Sequence, residues 1–208
     1  INNLLSLLTR QLFDFLSYRN YTNSSNLSSI CLMDELLNRE LDHLMLQEGR
    51  RLKKEKAKSK LQNSSVFFED YLYFKQLDEH FIRKPKRVYD ENLQEKNNHL
   101  DQFYIASKLK IACGMANRNS VIQANYDCHF IDIIINIIVS NYDTYQQFPA
   151  IMVYYQVLKT IQEQKVADYK LLKKLLANNL EVFPQSELVA LYHYALNFCI
   201  KQINKGRA

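Results

Sequence analysis

The chain of 208 residues carries 27 Lys and Arg against 22 Asp and Glu, a net charge of +5, and is 47% hydrophobic and 24% charged, the balance of a globular chain. It holds three Gly and three Pro, where average usage gives about 15 and about 10. Phosphate-cradling loops, dinucleotide-binding turns and tight β-hairpins all need glycine at positive φ or at a close backbone approach, so these are excluded.

Apolar residues recur at helical spacing nearly throughout. Ile1 already lies in an amphipathic stretch and no initiator Met precedes it, which predicts a piece of a longer or processed chain. In INNLLSLLTRQLFDFLSY, Leu5, Leu8, Leu12 and Phe15 follow one helix face. Arg10 and Asp14 interrupt the apolar run, so it is not a signal peptide. The polar, cap-forming stretch YTNSSNLSS ends this helix and starts a second at about Ser29. That helix carries Ile30, Met33, Leu37, Leu41 and Leu44 and is expected to continue to Lys60, roughly 45 Å at ~1.5 Å per residue. Beyond Glu48 only Leu52, Ala57 and Leu61 are apolar, which predicts a distal half projecting into solvent or fraying.

Asn63, Ser64 and Ser65 cap a third helix with the stripe Phe67, Tyr71, Phe74 and Phe81, ending near Pro85. A fourth covers about Glu91 to Asn117. Leu100, Tyr104, Ile111 and Met115 mark one face, and Ile105, Leu109, Ala112 and Ala116 another, the pattern of a helix sandwiched between neighbours. The tract FIDIIINIIV, 130–139, has the β-branched content of a buried strand, but Asp132 and Asn136 stand four apart and no partner strand is evident. The spacing predicts a helix with Asp127 as N-cap. No run reaches the ~18 apolar residues of a membrane span, which predicts a soluble protein.

The last third is the most regular: a helix from Pro149, another through DYKLLKKLLANNLEVF, and a third from Pro184. Phe148-Pro149 and Phe183-Pro184 lie 35 residues apart, and aligning helix interiors gives an offset of 38 that pairs Ile151 with Val189, Tyr154 with Tyr192, Leu158 with Leu196 and Ile161 with Cys199. A period in the thirties built of two antiparallel helices marks a helical solenoid. Residues 149–205 resemble tetratricopeptide-like repeat families. They lack the Trp and Gly of the first repeat helix, and Leu172 and Asn179 stand where the motif has small residues. The resemblance implies an all-α fold of antiparallel helix pairs stacked as a TPR-like α-α superhelix. LDQFYIASKLKIACGMANR, 100–118, is also similar to a segment of large uncharacterised bacterial helical proteins. The expected organisation is a single array: an N-terminal helix pair with a basic extension (1–61), middle helices (62–147) and the clearest TPR-like pairs (148–208).

Chemistry-bearing motifs are sparse. Cys31, Cys113, Cys128 and Cys199 form no CxxC and are expected as reduced core thiols in the cytoplasm. No histidine belongs to an HExxH motif. Glu40 and His43 form half of a di-iron pattern without its second half. Cys128 and His129 are adjacent, so on a helix they would point about 100° apart. The reading is therefore no catalytic residue, no metal site and no cofactor. Tyrosine buries its ring while keeping its hydroxyl wet, and Tyr154, Tyr155, Tyr192 and Tyr194 fall on the first helices of the two repeat units, the candidate surface for a protein or peptide; packing between repeats is the rival reading of the same residues. RRLKKEKAKSK, 50–60, has a local charge of +6 and leaves the rest of the chain at −1. Arg50, Arg51, Lys53, Lys54 and Lys56, with Lys84, Lys86 and Arg87 beside Pro85, are the candidate basic patch for an acidic partner or nucleic acid. The expected function is a non-enzymatic protein-interaction scaffold, and the alternative is nucleic-acid binding through 50–60 and 83–87.

Overall fold

With glycine so scarce, the chain reverses direction at ordinary residues held in the left-handed region: Glu40 (φ 58°), Phe130 (φ 67°) and Gln164 (φ 53°). A computed structural model describes residues 2–23, 25–84, 88–122 and 125–206. Its helices are α1 (Asn2–Asn23), α2 (Ser25–Asn38), α3 (Asp42–Lys56), α4 (Ser64–Ile82), α5 (Glu91–Ile122), α6 (Ile131–Ser140), the single turn α7 (Tyr142–Tyr145), α8 (Pro149–Glu163), α9 (Val166–Asn178) and α10 (Gln185–Asn204), with a 3₁₀ turn at Leu180–Val182. The fold is all-α, and no strand occurs among the described residues. No helix is long and apolar enough to cross a membrane. The chain divides into two compact units, Ile1–Ser59 with Glu69–Lys96, and Lys60–Phe68 with Asn97–Ala208.

In the first unit, α2 supplies Ile30, Met33 and Leu37, α3 supplies Met45 and Leu52, and α4 supplies Tyr73 to one core. The rod expected from Ser29 to Lys60 is in fact two helices. α2 ends at Asn38 and the chain folds back over Arg39–Leu41. A straight rod would leave its apolar stripe facing water along its length, whereas folding back buries the two halves against each other. Leu52, placed in the solvated half by its sparse apolar neighbours, is fully buried. Gly49 sets how closely α2 and α3 approach: a Cβ there would lie 3.1 Å from Met33 Cε and 3.5 Å from Tyr73 Cε2. On α4, His80 Nε2 lies 3.2 Å from Asp42 Oδ2, Asp78 pairs with Lys96 of α5, and the Arg83 guanidinium donates to the Leu37 carbonyl. α1 begins well before Leu5 and is helical as expected, but none of its described side chains is buried.

In the second unit, α8 is apolar on most sides and is the most enclosed helix, burying Ala150 to Tyr154, Val157 and Leu158. Around the same core stand Ile105, Leu109 and Ala112 of α5, Ile134 and Ile138 of α6, Leu172 and Leu176 of α9, and Leu191 of α10. α8 and α9 are joined by a turn in which Gln164 takes the left-handed C-cap position usual for glycine. Gln156 Nε2 donates to the Asp168 carbonyl at 2.9 Å, linking the two helices. Two expectations are corrected. Only one face of α5 is covered, since Leu100, Tyr104 and Ile111 are exposed. The isoleucine tract is helical with Asp132 and Asn136 outward, but its N-cap position is Phe130 and not Asp127, because the chain turns sharply through left-handed geometry there. Pro149 occupies the first turn of α8, where a missing N–H costs nothing.

Gly49→Leu is expected to destabilise the protein by about 2 kcal/mol through overpacking against Met33 and Tyr73. Gly49→Ala should stay within about 1 kcal/mol of the parent, because better helix propensity offsets a small shift of the flexible Met33 end. Urea unfolding of the two variants measures both.

Candidate functional site

The four tyrosines proposed as a surface do not form one. Successive helical residues point about 100° apart, so neighbours on one helix meet different surroundings. Tyr154 is enclosed in the core, Tyr155 and Tyr194 pack partly against it, and Tyr192 is exposed. The Tyr154 ring meets Phe183 edge-on, with centroids 6.0 Å apart. Its hydroxyl is not wet but buried, donating to Glu187 Oε1 at 2.5 Å.

Glu187 is the centre of a polar constellation. It lies in the first turn of α10, where the unpaired N–H groups of a helix start favour negative charge, and its side chain is 4% exposed. Besides Tyr154 of α8, it receives Asn63 Nδ2 at 2.8 Å and stands 3.1 Å from Lys110 Nζ of α5. Asn63 also accepts from the Val66 N–H at 3.2 Å, capping the start of α4 as its sequence predicts. Burial pushes the Tyr154 phenol well above the ordinary tyrosine range, and the hydrogen bond to Glu187 and the charge of that carboxylate raise it further. Cys113 donates its thiol to the Tyr154 carbonyl at 3.2 Å, and burial pushes that thiol up too. Both acids are held protonated, so this cluster fixes geometry and offers no thiolate or phenolate nucleophile.

The basic segment is split by its own carboxylates. Arg51 donates to Glu48 Oε2 at 2.8 Å, to Glu55 Oε1 at 2.6 Å and to Ser29 Oγ at 2.8 Å. The hydrogen bond from Arg51 holds the Glu48 carboxyl below its usual range despite burial. Lys56 lies 2.5 Å from Asp70 and 3.6 Å from Glu69. Arg50, Lys53 and Lys54 are exposed and form no ion pair among the described residues. They sit in the second half of α3, where Lys53 and Lys54 meet the negative end of the helix dipole. Lys84 is exposed, whereas Lys86 and Arg87 lie outside the described residues.

Beside these cations is an open groove of about 890 Å³ in the first unit, lined by Leu32 and Leu36 of α2 and by Leu44, Arg50 and Lys54 of α3, with Glu48 and Arg51 between them. Sequence reasoning missed this groove because it took α2 and α3 for one rod. It missed Glu187 because a first-turn acid ordinarily reads as a solvated dipole partner, and the residue that holds it, Asn63, is 124 positions away.

The remaining motifs stay apart. Glu40 and His43 are both exposed, and no three of His, Cys, Asp and Glu gather as metal ligands among the described residues. His129 Nδ1 lies 3.5 Å from Asp127 Oδ2, both solvated. The four cysteines are free. Cys113 is buried, Cys128 and Cys199 are half-buried, and Cys31, expected in the core, is exposed because it points off the Ile30–Met33–Leu37 face. Compared with protein-family models, curated proteins and solved structures, the chain has no match.

Tyr154→Phe leaves Glu187 with one donor fewer and is expected to cost about 1–3 kcal/mol at neutral pH. The raised Tyr154 value also sets a pH dependence. The folded state holds the phenolic proton more tightly than the unfolded chain, so its contribution is complete below about pH 10 and declines as pH rises above that. Denaturant unfolding across alkaline pH should show a shallower decline for Tyr154→Phe than for the parent.

Proposed function

We propose that the chain is a non-enzymatic interaction scaffold that binds another protein through a helical-repeat surface, with α8 and α9 as one TPR-like pair and α10 as the first helix of the next. One observation carries the reading. Val189, Tyr192, Leu196, Ile200 and Ile203 form an apolar stripe along α10 and are 46 to 61% exposed. The counterparts of the first three at the offset of 38, Ile151, Tyr154 and Leu158 of α8, are 2% exposed or less, whereas Ile200 and Ile203 align with the polar Gln162 and Lys165. A stripe enclosed on one repeat helix and bare on the next is a surface on which a further helix packs, and contiguous exposed apolar surface of this kind marks interaction sites. The nucleic-acid alternative draws less support, since Arg51 and Lys56 already spend their charge on neighbouring carboxylates.

A photo-crosslinking residue at Leu196, with the chain in its native cell, is expected to yield a protein adduct. The same group at Lys174, exposed on α9 and outside the stripe, should yield much less. Val189→Glu with Leu196→Glu should abolish partner recovery while leaving the unfolding free energy within about 0.5 kcal/mol of the parent, as surface substitutions do. Equal adducts at both positions, or adducts destroyed by nuclease, would count against the proposal.

A further inference from the structure

The α2–α3 hairpin is covered on one face by α4, whose Leu72, Tyr73, Phe74 and Leu77 meet the core. Its other face is the open groove of about 890 Å³. Leu32 and Leu44 are exposed there and Leu36 is half-buried. The apolar residues lie toward the α2–α3 turn, since Leu36 and Leu44 flank it, and the charge lies toward the end of α3. Because Arg51 is committed to Glu48, Glu55 and Ser29, the cations left unmatched at the groove are Arg50 and Lys54. They stand four residues apart, hence about 6 Å apart along the helix.

From this polarity we infer that the groove seats an amphipathic helix of another protein, with leucine-type side chains over Leu32, Leu36 and Leu44 and carboxylates along the turns that follow, against Arg50 and Lys54. Three features select this occupant. From Leu44 to Lys54 the groove runs about 15 Å, the length of roughly three helical turns. The spacing of Arg50 and Lys54 matches carboxylates placed at i and i+4 on a helix lying alongside. Helix-in-groove binding anchors through apolar residues at i, i+3 or i+4, and i+7, and the groove offers three leucines within that reach. The site belongs to the first unit and stands or falls separately from the α10 stripe.

The test uses the full chain and a fluorescent amphipathic peptide of about fifteen residues, leucines on one stripe and glutamates along its following turns. Fluorescence anisotropy at low salt is expected to show saturable binding with a dissociation constant on the order of 10 μM. Leu32→Asp with Leu44→Asp should weaken it at least about tenfold, and so should Arg50→Glu with Lys54→Glu. The glutamine analogue of the peptide should lose most of its affinity, and rising salt should weaken the parent peptide. Circular dichroism of the variants, expected to match the parent, separates lost binding from lost folding. Absence of binding at low salt overturns the inference, as does binding unchanged by both variant pairs or equal binding of the glutamine analogue. Tighter binding of anionic vesicles or of single-stranded nucleic acid that depends on Arg50 and Lys54 but not on Leu32 and Leu44 also overturns it. Loss of the α10 crosslink leaves it untouched.

Discussion

A carboxylate withdrawn from water must be met by donors or it will not stay there. Glu187 is met from three directions at once, by Asn63 before α4, by Lys110 of α5 and by Tyr154 of α8. The requirement is directional, so it fixes more than proximity. It sets the rotation of α10 about its own axis, because Glu187 must point inward at its three partners. At about 100° per residue, Val189, Tyr192, Leu196, Ile200 and Ile203 then average about 180° from Glu187, while Leu191, Phe198 and Gln202 turn toward the core, where they are buried. The outward stripe is therefore the far side of an inward anchor. It cannot be relieved by rolling α10 over, since that would strand the carboxylate.

The first unit is governed by steric closeness in place of a buried charge. Gly49 removes a side chain at the point where Met33 and Tyr73 converge, and the two helices close over Met45 and Leu52. Closing that core on the α4 side leaves Leu32 and Leu44 on the other. Arg51 is half exposed in its ion pairs, with Glu55 partly solvated and Glu48 largely sheltered, and these pairs decide which cations remain unmatched. Seven cations in eleven residues thus reduce, beside the groove, to Arg50 and Lys54.

Much of this was legible before any coordinates. The 3–4 spacing placed α1, α4, α5, α6 and α8 to α10, because amphipathic periodicity is a local property and each of these helices is longer than two turns. Asn63 announced its capping role, and Pro149 announced the start of α8. What was not legible depends on distance or on rare backbone geometry. Glu40, Phe130 and Gln164 turn the chain without being glycine or proline, so the break between α2 and α3 carried no punctuation, and Leu52 was assigned to solvent on its near neighbours alone. Two of the boundaries between the two units fall within α4 and α5, where helical periodicity runs on uninterrupted. Tyr154 and Tyr192 align at the sequence offset of 38, yet one is enclosed and the other bare. Register identifies corresponding positions; only the presence of a covering helix decides burial.

That difference also separates the two outward surfaces by the way they would select a partner. The α10 stripe has valine, tyrosine, leucine and isoleucine at its five positions and no charge within it. Affinity there would grow with apolar area and shape, be insensitive to salt, and discriminate weakly among apolar helices. The α2–α3 groove pairs three leucines with Arg50 and Lys54. A partner helix without carboxylates would leave those cations partly desolvated and unmatched, a cost that rejects it, whereas an acidic one gains both attraction and faster encounter. On the proposed reading, selectivity comes from the faces of helices, and the residues that hold those faces in place, Glu187 and Gly49, are themselves buried.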